Sequence, residues 1–578
     1  MPDDPLAPAA ARRELSSARD AALRARVRRV LRGTFGIARL RAGQETVIHR
    51  VLAGLPTVAI MPTGAGKSLC YQLPALLLPG LTLVVSPLIA LMKDQCDKLA
   101  GLGVAAVQLN SSRGAGELQA AEESIASGRA RLVFTTPERL ADRDFIALLA
   151  TRTVSLLAVD EAHCISQWGH DFRPAFLEIG GAVPLLGYPA ILALTATATQ
   201  AVVDDIGAQL GVPDFGIVNT GTYRPNLHYA VEQVRREEDK LSRLAGLLRA
   251  TPGSGIVYAA TVKTAEEVTA ALALAGESVA RYHGRVPAAE RRANQDAFMG
   301  GQVRVMVATN AFGLGIDKPD IRFVVHYQMP SGLDAYYQES GRAGRDGEVA
   351  QCTLLYLRKD KAVQQFFLAG RYPALDDVTA IYRQLLTEPP ATGGWTAERL
   401  LEVIDRPASK LHVALRLLRQ QHVVRQDRDG RLVLHSPDLE DEALASLARA
   451  WRDRRESDRA MLEQMVFYGQ TGYCRWRVLL AHFGEDEGFT RCGNCDNCRR
   501  VAAADEQRHR RPARRPDPLR QQRPVPPVLP FGPGARVRVP RYGFGQVDSS
   551  DERSVTVLFP NGEKRCFLRS YVTAATGA

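Results

Sequence analysis

The chain has 578 residues, 46% hydrophobic and 24% charged, with apolar material for about four domains at roughly 150 residues each. Its longest apolar candidate, Leu73–Val85, is broken by Pro74, Pro79 and Gly80, which excludes a membrane span of ~20 residues, and the opening Asp3-Asp4 lacks the basic and apolar regions of a secretory leader, so a cytoplasmic protein is expected. The net charge of +11 favours an anionic partner such as nucleic acid, although nine arginines against Asp505, Glu506 and Asp517 concentrate much of it in segment 499–523.

Residues 1–24, rich in Ala, Pro and charge, read as a disordered or loosely helical arm. From about 25 to 370 short apolar runs alternate with helical stretches. Thr57–Met61, Leu81–Ser86, Arg131–Thr135, Leu156–Val159 and Ile191–Leu194 form a first strand series over 25–225. Gly255–Tyr258, Ser278–Tyr282, Val303–Ala308, Phe323–His326 and Cys352–Leu357 form a second over 226–370. The fold class is therefore α/β, with two doubly wound parallel-sheet domains in tandem.

After residue 371 the pattern changes. Helices at Asp376–Leu386, Thr396–Ile404 and Ala408–Gln421 precede strands His422–Gln426 and Arg431–His435, an order that reads as a winged-helix-like segment over 371–437. A long charged helix, Asp438–Tyr468, leads into a cysteine-rich element that ends near 500. Residues 501–530 read as an Arg/Pro-rich linker, and 531–578 as a small β-barrel.

Two motifs carry phosphate chemistry. Met61–Ser68 reads MPTGAGKS, a strand end, then glycines, then Lys-Ser opening a helix. Backbone N–H groups freed by Gly64 and Gly66 can cradle phosphate oxygens, so that Thr63, Gly64, Ala65, Gly66, Lys67 and Ser68 line an ATP site. Lys67 supplies a point charge and Ser68 a hydroxyl for Mg²⁺. A Gly-rich turn before a helix is the ordinary alternative for the loop alone, and the strict pattern asks for Gly where Met61 stands. The second motif, Asp160-Glu161-Ala162-His163, follows an apolar strand. Asp160 there would hold Mg²⁺, Glu161 would orient the attacking water, and His163 joins the catalytic set. Together they specify an NTPase.

DEAHCISQWGHDFRP at 160–174, FGIARLRAGQ at 35–44, SPLIALMKDQ at 86–95, ALTATA at 193–198, ATNAFGLGIDKPD at 308–320 and QESGRAGRDG at 338–347 resemble the motifs of RecQ-family DNA helicases, in superfamily 2. The resemblance implies two RecA-like domains with ATP in the cleft between them and single-stranded DNA across their top. It implies that Gln44 reads adenine, with Arg41 against the base and Ile37 where the family usually has an aromatic residue. Gly315 and Asp317 would approach the nucleotide from the second domain. Gln338, Arg342 and Arg345 would serve the γ-phosphate, Arg345 as the finger. Trp168, His170, Phe172 and Arg173 would couple DNA to hydrolysis, with Ser86 and Lys93 as further DNA contacts and Thr195 and Thr197 as phosphate contacts or interdomain links.

Cys474-x17-Cys492-x2-Cys495-x2-Cys498 offers four thiolates for a tetrahedral, structural Zn²⁺. It resembles the RecQ zinc-binding element, but the winged-helix candidate precedes it, whereas in the family that domain follows. The last segment, GARVRVPRYGFGQV and VTVLFPNGEKRCFLRSYV, resembles the Tudor-like tails of UvrD/PcrA helicases, with a generic SH3-like barrel as the alternative; a tail of that kind implies a protein partner such as RNA polymerase. The whole reads as an ATP-dependent 3′→5′ DNA helicase of repair or recombination, using ATP, Mg²⁺ and Zn²⁺ on single-stranded and duplex DNA. An ATP-switched DNA clamp or recruitment factor without strand separation is the alternative, and an RNA helicase a nearer rival.

Overall fold

Apolar runs of four to six residues, too short for helices and rich in Val, Ile and Leu, become strands buried on both faces. The computed structural model describes residues 9–110, 113–166, 173–212, 214–313, 316, 318–371, 375–389, 394–406, 408–420, 423–427, 430–435, 441–486, 488–510, 531–540, 542–551 and 553–575. The chain divides into two compact units, one of Met1–Tyr223 with Gly313–Asp317 and Phe483–Glu485, the other of Arg224–Phe312, Lys318–His482 and Asp486–Ala578.

The first unit holds strands β1 (Thr57–Ile60), β2 (Leu81–Val85), β3 (Ala106–Leu109), β4 (Leu132–Thr135), β5 (Val154–Val159), β6 (Ala190–Thr195) and β7 (Gly216–Asn219). They pair in parallel in the order β3-β4-β2-β5-β6-β1-β7. Side chains alternate between two cores: Val58 and Ile60 join Phe145, Ile179 and Ile206 on one face, while Ala59 and Met61 join Val47, Tyr71 and Met92 on the other. The N-terminal arm is not disordered from Ala9 onward. A helix spans Ala9–Gly33, an Ala-rich stretch of high helix propensity, and Val27 and Leu31 bury against Ile48, Leu69 and Leu73.

The second unit is built on β8 (Leu227–Gln233), β9 (Ser254–Tyr258), β10 (Val279–Tyr282), β11 (Val305–Ala308), β12 (Ile321–His326) and β13 (Ala350–Tyr356), all parallel in the order β10-β11-β9-β12-β13-β8. Sequence reading omitted β3, β7 and β8. All three are edge strands, and β7 and β8 carry half-exposed, polar-interrupted sequences instead of a continuous apolar run.

Three helices, Leu375–Leu385, Ala397–Val403 and Ala408–Gln420, close with the hairpin of β14 (Val424–Gln426) and β15 (Leu432–Leu434) around Ile381, Trp395, Leu411, Leu418 and Leu432. The long helix Asp441–Gln470 follows, then helices Arg475–His482 and Asp496–Arg510. The last of these carries helix through residue 510, where a linker was expected from 501; the rest of that expected linker, residues 511–530, lies outside the described ones.

The C-terminal segment is an antiparallel sheet of β16 (Arg536–Val539), β17 (Gly543–Ser550), β18 (Ser554–Leu558), β19 (Lys564–Leu568) and β20 (Thr573–Ala574), ordered β19-β18-β17-β16-β20. The expected barrel is not confirmed: β19 and β20 do not pair, and no closed sheet is found among the described residues. The outer edge of β19 is taken instead by Thr471, which bridges Phe567 and donates its hydroxyl to the Cys566 carbonyl at 3.0 Å.

Within the second unit, Lys240 and Asp360 form a buried ion pair at 2.8 and 3.1 Å, with Asp360 also accepting from the Met329 N–H at 3.3 Å. Burial pushes the Asp360 carboxyl up to about 6 against the attraction of Lys240. Lys240→Met strands that carboxylate and should cost about 3–5 kcal/mol in urea unfolding. A carboxyl whose folded pKa is raised stabilises most when protonated, so the loss should be smaller at pH 5 than at pH 8.

Candidate functional site

The chemistry of the first unit gathers at the C-terminal ends of β1, β5 and β6, which are neighbours in its sheet. After β1 the loop Met61–Ser68 turns through Gly64 (φ 86°) and Gly66 (φ 79°) into the helix Leu69–Ala75. Gly66 is required twice, for its left-handed backbone and because a Cβ there would lie 2.7 Å from Gln44 Nε2. The buried Gln44 amide donates to the carbonyls of Ala65 and Gly66, both at 3.0 Å, and its Oε1 accepts the Arg41 N–H at 2.7 Å. The Arg41 guanidinium donates to the Gly64 carbonyl. Both residues thus hold the loop directly. Lys67 Nζ donates to the Met61 carbonyl at 3.3 Å, and Ile37 beside them is 37% exposed.

At the end of β5, Asp160 is buried and its carboxyl is pushed up to about 7, by burial first and then by Glu161, against the pull of Lys67. Glu161 adopts φ 50°, a left-handed conformation unusual for a residue with a side chain. Its Oε2 is buried without a hydrogen-bond donor and lies 3.5 Å from His163 Nδ1. His163 is itself hydrogen-bonded through Nδ1 to Thr195 Oγ1 at 3.1 Å, and Thr195 donates to the Thr197 carbonyl at 2.8 Å. A carboxyl this far raised by burial and an orphaned carboxylate oxygen are both satisfied by a cation and a water, so the donor set fits Mg²⁺ with a hydrolytic water.

In the second unit, Gln338 lies on helix Leu333–Ser340, and Arg342 and Arg345 follow in the next turn. Arg342 is buried beside the Tyr258 hydroxyl, which donates to the Phe312 carbonyl at 2.7 Å. Sequence reading missed the residues that shape this turn. The buried Arg224 donates to the carbonyls of Gly341 (2.7 Å), Ala343 (2.8 Å) and Gly344 (2.6 Å), and Asn226 donates to Gly344 (2.8 Å) and Glu348 (2.9 Å). Only a long-range contact across more than 115 residues reveals them, a signal absent from local sequence.

Cys474, Cys492, Cys495 and Cys498 place their sulfurs within 4.8 Å of one another, unoxidised. Backbone N–H groups of Cys492 and Cys498 donate to Cys474 and Cys495 at 3.3 and 3.4 Å. The Cys474–Cys492 hydrogen bond pulls the first thiol down and pushes the second up, since neighbouring thiolates cannot all ionise without a cation. Four converging sulfurs with N–H donors behind them fit tetrahedral zinc.

Residues 41–206 match the DEAD/DEAH box helicase family, 239–347 the helicase conserved C-terminal domain and 438–499 the RecQ zinc-binding domain. A probable ATP-dependent DNA helicase RecS of Bacillus subtilis is 39% identical over 357 residues, covering 61% of this chain and 71% of that protein. The chain belongs to the RecQ family.

The RecQ helicase of B. subtilis is 44% identical over 345 residues, 59% of this chain and 58% of that protein, and that of Haemophilus influenzae 42% identical over 339 residues, 59% and 54%. The chain therefore spans little more than half the length of these RecQ relatives. In fold it resembles the Mycobacterium smegmatis helicase Lhr bound to single-stranded DNA and AMP-PNP, with a TM-score of 0.50 and 22% identity over 73% of this chain and 61% of that one.

Of the RecQ-type motif residues, the structure gathers Arg41, Gln44, Thr63–Ser68, Asp160, Glu161 and His163 in one unit and Gln338, Arg342 and Arg345 in the other. Trp168, His170, Phe172, Gly315 and Asp317 lie outside the described residues. Arg173 is half-buried, its N–H bonded to the Cys164 carbonyl at 3.0 Å, and Lys93 is exposed. Ser86 is 2% exposed, with its hydroxyl accepting the Leu88 N–H at 3.4 Å. Cys495→Ala should release about one zinc per chain by metal analysis and lower the unfolding midpoint of the second unit, because structural zinc contributes directly to folding.

Proposed function

We propose that the protein is an ATP-dependent DNA helicase that translocates 3′→5′ and separates duplex DNA in the cytoplasm during repair or recombination. The observation that carries this reading is the buried Asp160–Glu161 pair beside the glycine loop, one carboxyl raised and the other holding an unsatisfied oxygen. Thr63–Ser68 bind the ATP phosphates, Lys67 by charge, and Ser68 and Asp160 hold Mg²⁺. Bound Mg²⁺ supplies neutralisation of phosphate charge. Glu161, aimed by its left-handed backbone and backed by His163, accepts a hydrogen bond from the attacking water and orients it. Arg41 and Gln44 pin the loop until nucleotide arrives, and adenine then competes for the Gln44 amide. Arg342 and Arg345, with Gln338, stabilise charge developing on the γ-phosphate. Single-stranded DNA engages Lys93, Arg173 and the segment containing Trp168, His170 and Phe172.

Unwinding of a 3′-tailed but not a 5′-tailed duplex, abolished by Lys67→Ala, is the expected result. DNA-stimulated hydrolysis without unwinding would replace the helicase by a DNA clamp, and preferential stimulation by RNA would make RNA the substrate. Glu161→Gln should lower kcat by about 10²–10⁴-fold while ATP still binds. Because Asp160 is protonated below about 7 in the free protein, affinity for Mg²⁺-nucleotide should rise with pH up to that value, about tenfold per unit. Calorimetry in buffers of differing ionisation heat should register the released proton, and Asp160→Asn should remove the dependence.

A further inference from the structure

The C-terminal sheet is part of the second unit and presents one face that packing does not explain. Its inner face is closed by Val537, Val547, Val557, Phe559 and Phe567. On the outer face the strand register sets Arg538 opposite Phe544 and Arg536 opposite Gln546. Phe544 is 50% exposed, with the Arg536 and Arg538 guanidiniums 5.5 and 5.9 Å from its ring centre. Two residues apart, Tyr542 and Phe544 would share a face of a regular strand. Gly543, at φ 80°, breaks that alternation: Tyr542 turns inward onto Phe559 and Phe567, and Phe544 stays outside. The backbone thus spends its glycine on separating a core ring from a surface ring.

The two arginines are also distinct from their neighbours. Lys564 is paired with Asp548, Arg565 with Glu563, and Arg569 lies over the Phe531 ring. Among the described residues no carboxylate pairs with Arg536 or Arg538. An exposed ring beside two guanidiniums that no described carboxylate neutralises is a combination that stacks a base and neutralises neighbouring phosphates. The sheet is also held in place: Tyr473 OH donates to the Lys564 carbonyl at 3.0 Å, Tyr571 OH to Gln233 Oε1 at 2.8 Å, and Phe467 packs edge-on to Phe567.

We propose that the outer face of β16 and β17 is a second binding site for single-stranded DNA, with Phe544 stacking on a base and Arg536 and Arg538 contacting phosphates. It rests on the reading of the protein as a DNA-acting motor, and gives that motor a strand contact fixed to its second unit and separate from the helicase motifs.

The test uses the full chain without nucleotide. Phe544→Ala should weaken binding of labelled oligothymidylate about tenfold, and Phe544→Trp should restore it. The Arg536→Ala/Arg538→Ala double variant should reduce the magnitude of the salt slope by about 1.4, the value for two phosphates on a single strand. Photocrosslinking to an oligonucleotide carrying 5-iododeoxyuridine should recover the peptide containing Phe544. Unchanged affinity and slope, with no crosslink in that peptide, overturns the proposal, and leaves the face to a protein partner. The two readings fail separately. Phe544-dependent binding in a chain that neither hydrolyses ATP nor unwinds DNA would sink the helicase reading alone. Unwinding with unaltered binding in the Phe544 variants would sink this one alone.

Discussion

Within the second unit, one ion pair joins the zinc element to the sheet. Arg475, 1% exposed, meets Asp496 through two contacts, Nε to Oδ1 at 2.9 Å and Nη2 to Oδ2 at 3.0 Å. A guanidinium withdrawn from water against a half-buried carboxylate is costly unless the geometry is bidentate and the remaining donors and acceptors are used. Both conditions hold here: Arg475 also donates to the Tyr468 carbonyl at the end of the long helix, and Asp496 accepts the Val231 N–H of β8 at 3.0 Å. Each partner is the chain neighbour of a zinc ligand, Cys474 and Cys495, so the metal cluster fixes the two backbones that present the pair. Next to it, Trp476 donates to the Leu227 carbonyl at 3.1 Å and packs edge-on to Tyr229, whose hydroxyl is 2.8 Å from Ser340 Oγ. Ser340 ends the helix that carries Gln338. Trp476, Tyr229 and Ser340 thus form a chain of side chains from the zinc element to the turn of Arg342 and Arg345.

The first unit follows a different rule, in which tension is concentrated where chemistry is needed. Glu161 sits in a backbone conformation that costs about 1–3 kcal/mol and holds an oxygen without a donor. Asp160 is kept partly neutral by burial. The surrounding strands β2, β5, β6 and β1 are buried throughout their central positions and hold this arrangement rigidly. Ligands that satisfy the orphaned groups relieve these costs, which is a physical basis for tight coupling between nucleotide, cation and loop.

Legibility in the sequence followed burial and locality. Central strands of both sheets were readable because they are continuous apolar runs, and the three omitted strands all lie at edges. MPTGAGKS, DEAH and the four cysteines were readable because their chemistry is packed into a few consecutive residues. Arg224, Asn226, Arg475 and Asp496 were not, since each acts through a partner distant in the chain and looks like any polar surface residue until the fold brings the partner near. Gln44 was legible as a motif residue, but its hold on the carbonyls of Ala65 and Gly66 was not, because backbone acceptors leave no mark in a sequence. The tail was legible only as a small β unit, because short strands and turns specify an antiparallel sheet but not whether its ends meet.

Closure of the tail sheet would need β19 to pair with β20, yet the edge of β19 already meets Thr471 and Gly472, immediately after the long helix and before the first zinc ligand. This contact occupies the Cys566 carbonyl at the edge of β19 and joins the tail to the segment before the first zinc ligand. The Tyr473 hydroxyl at Lys564, the Tyr571 hydroxyl at Gln233 and the ion pair of Arg500 with Asp551 at 3.2 Å add contacts from three different segments. A module joined at that many points does not behave as a domain on a tether, whose contribution is set by linker length and effective concentration. Its outer face is held at a defined position on the second unit, so whatever binds Phe544 is positioned by the same framework that positions Arg342 and Arg345.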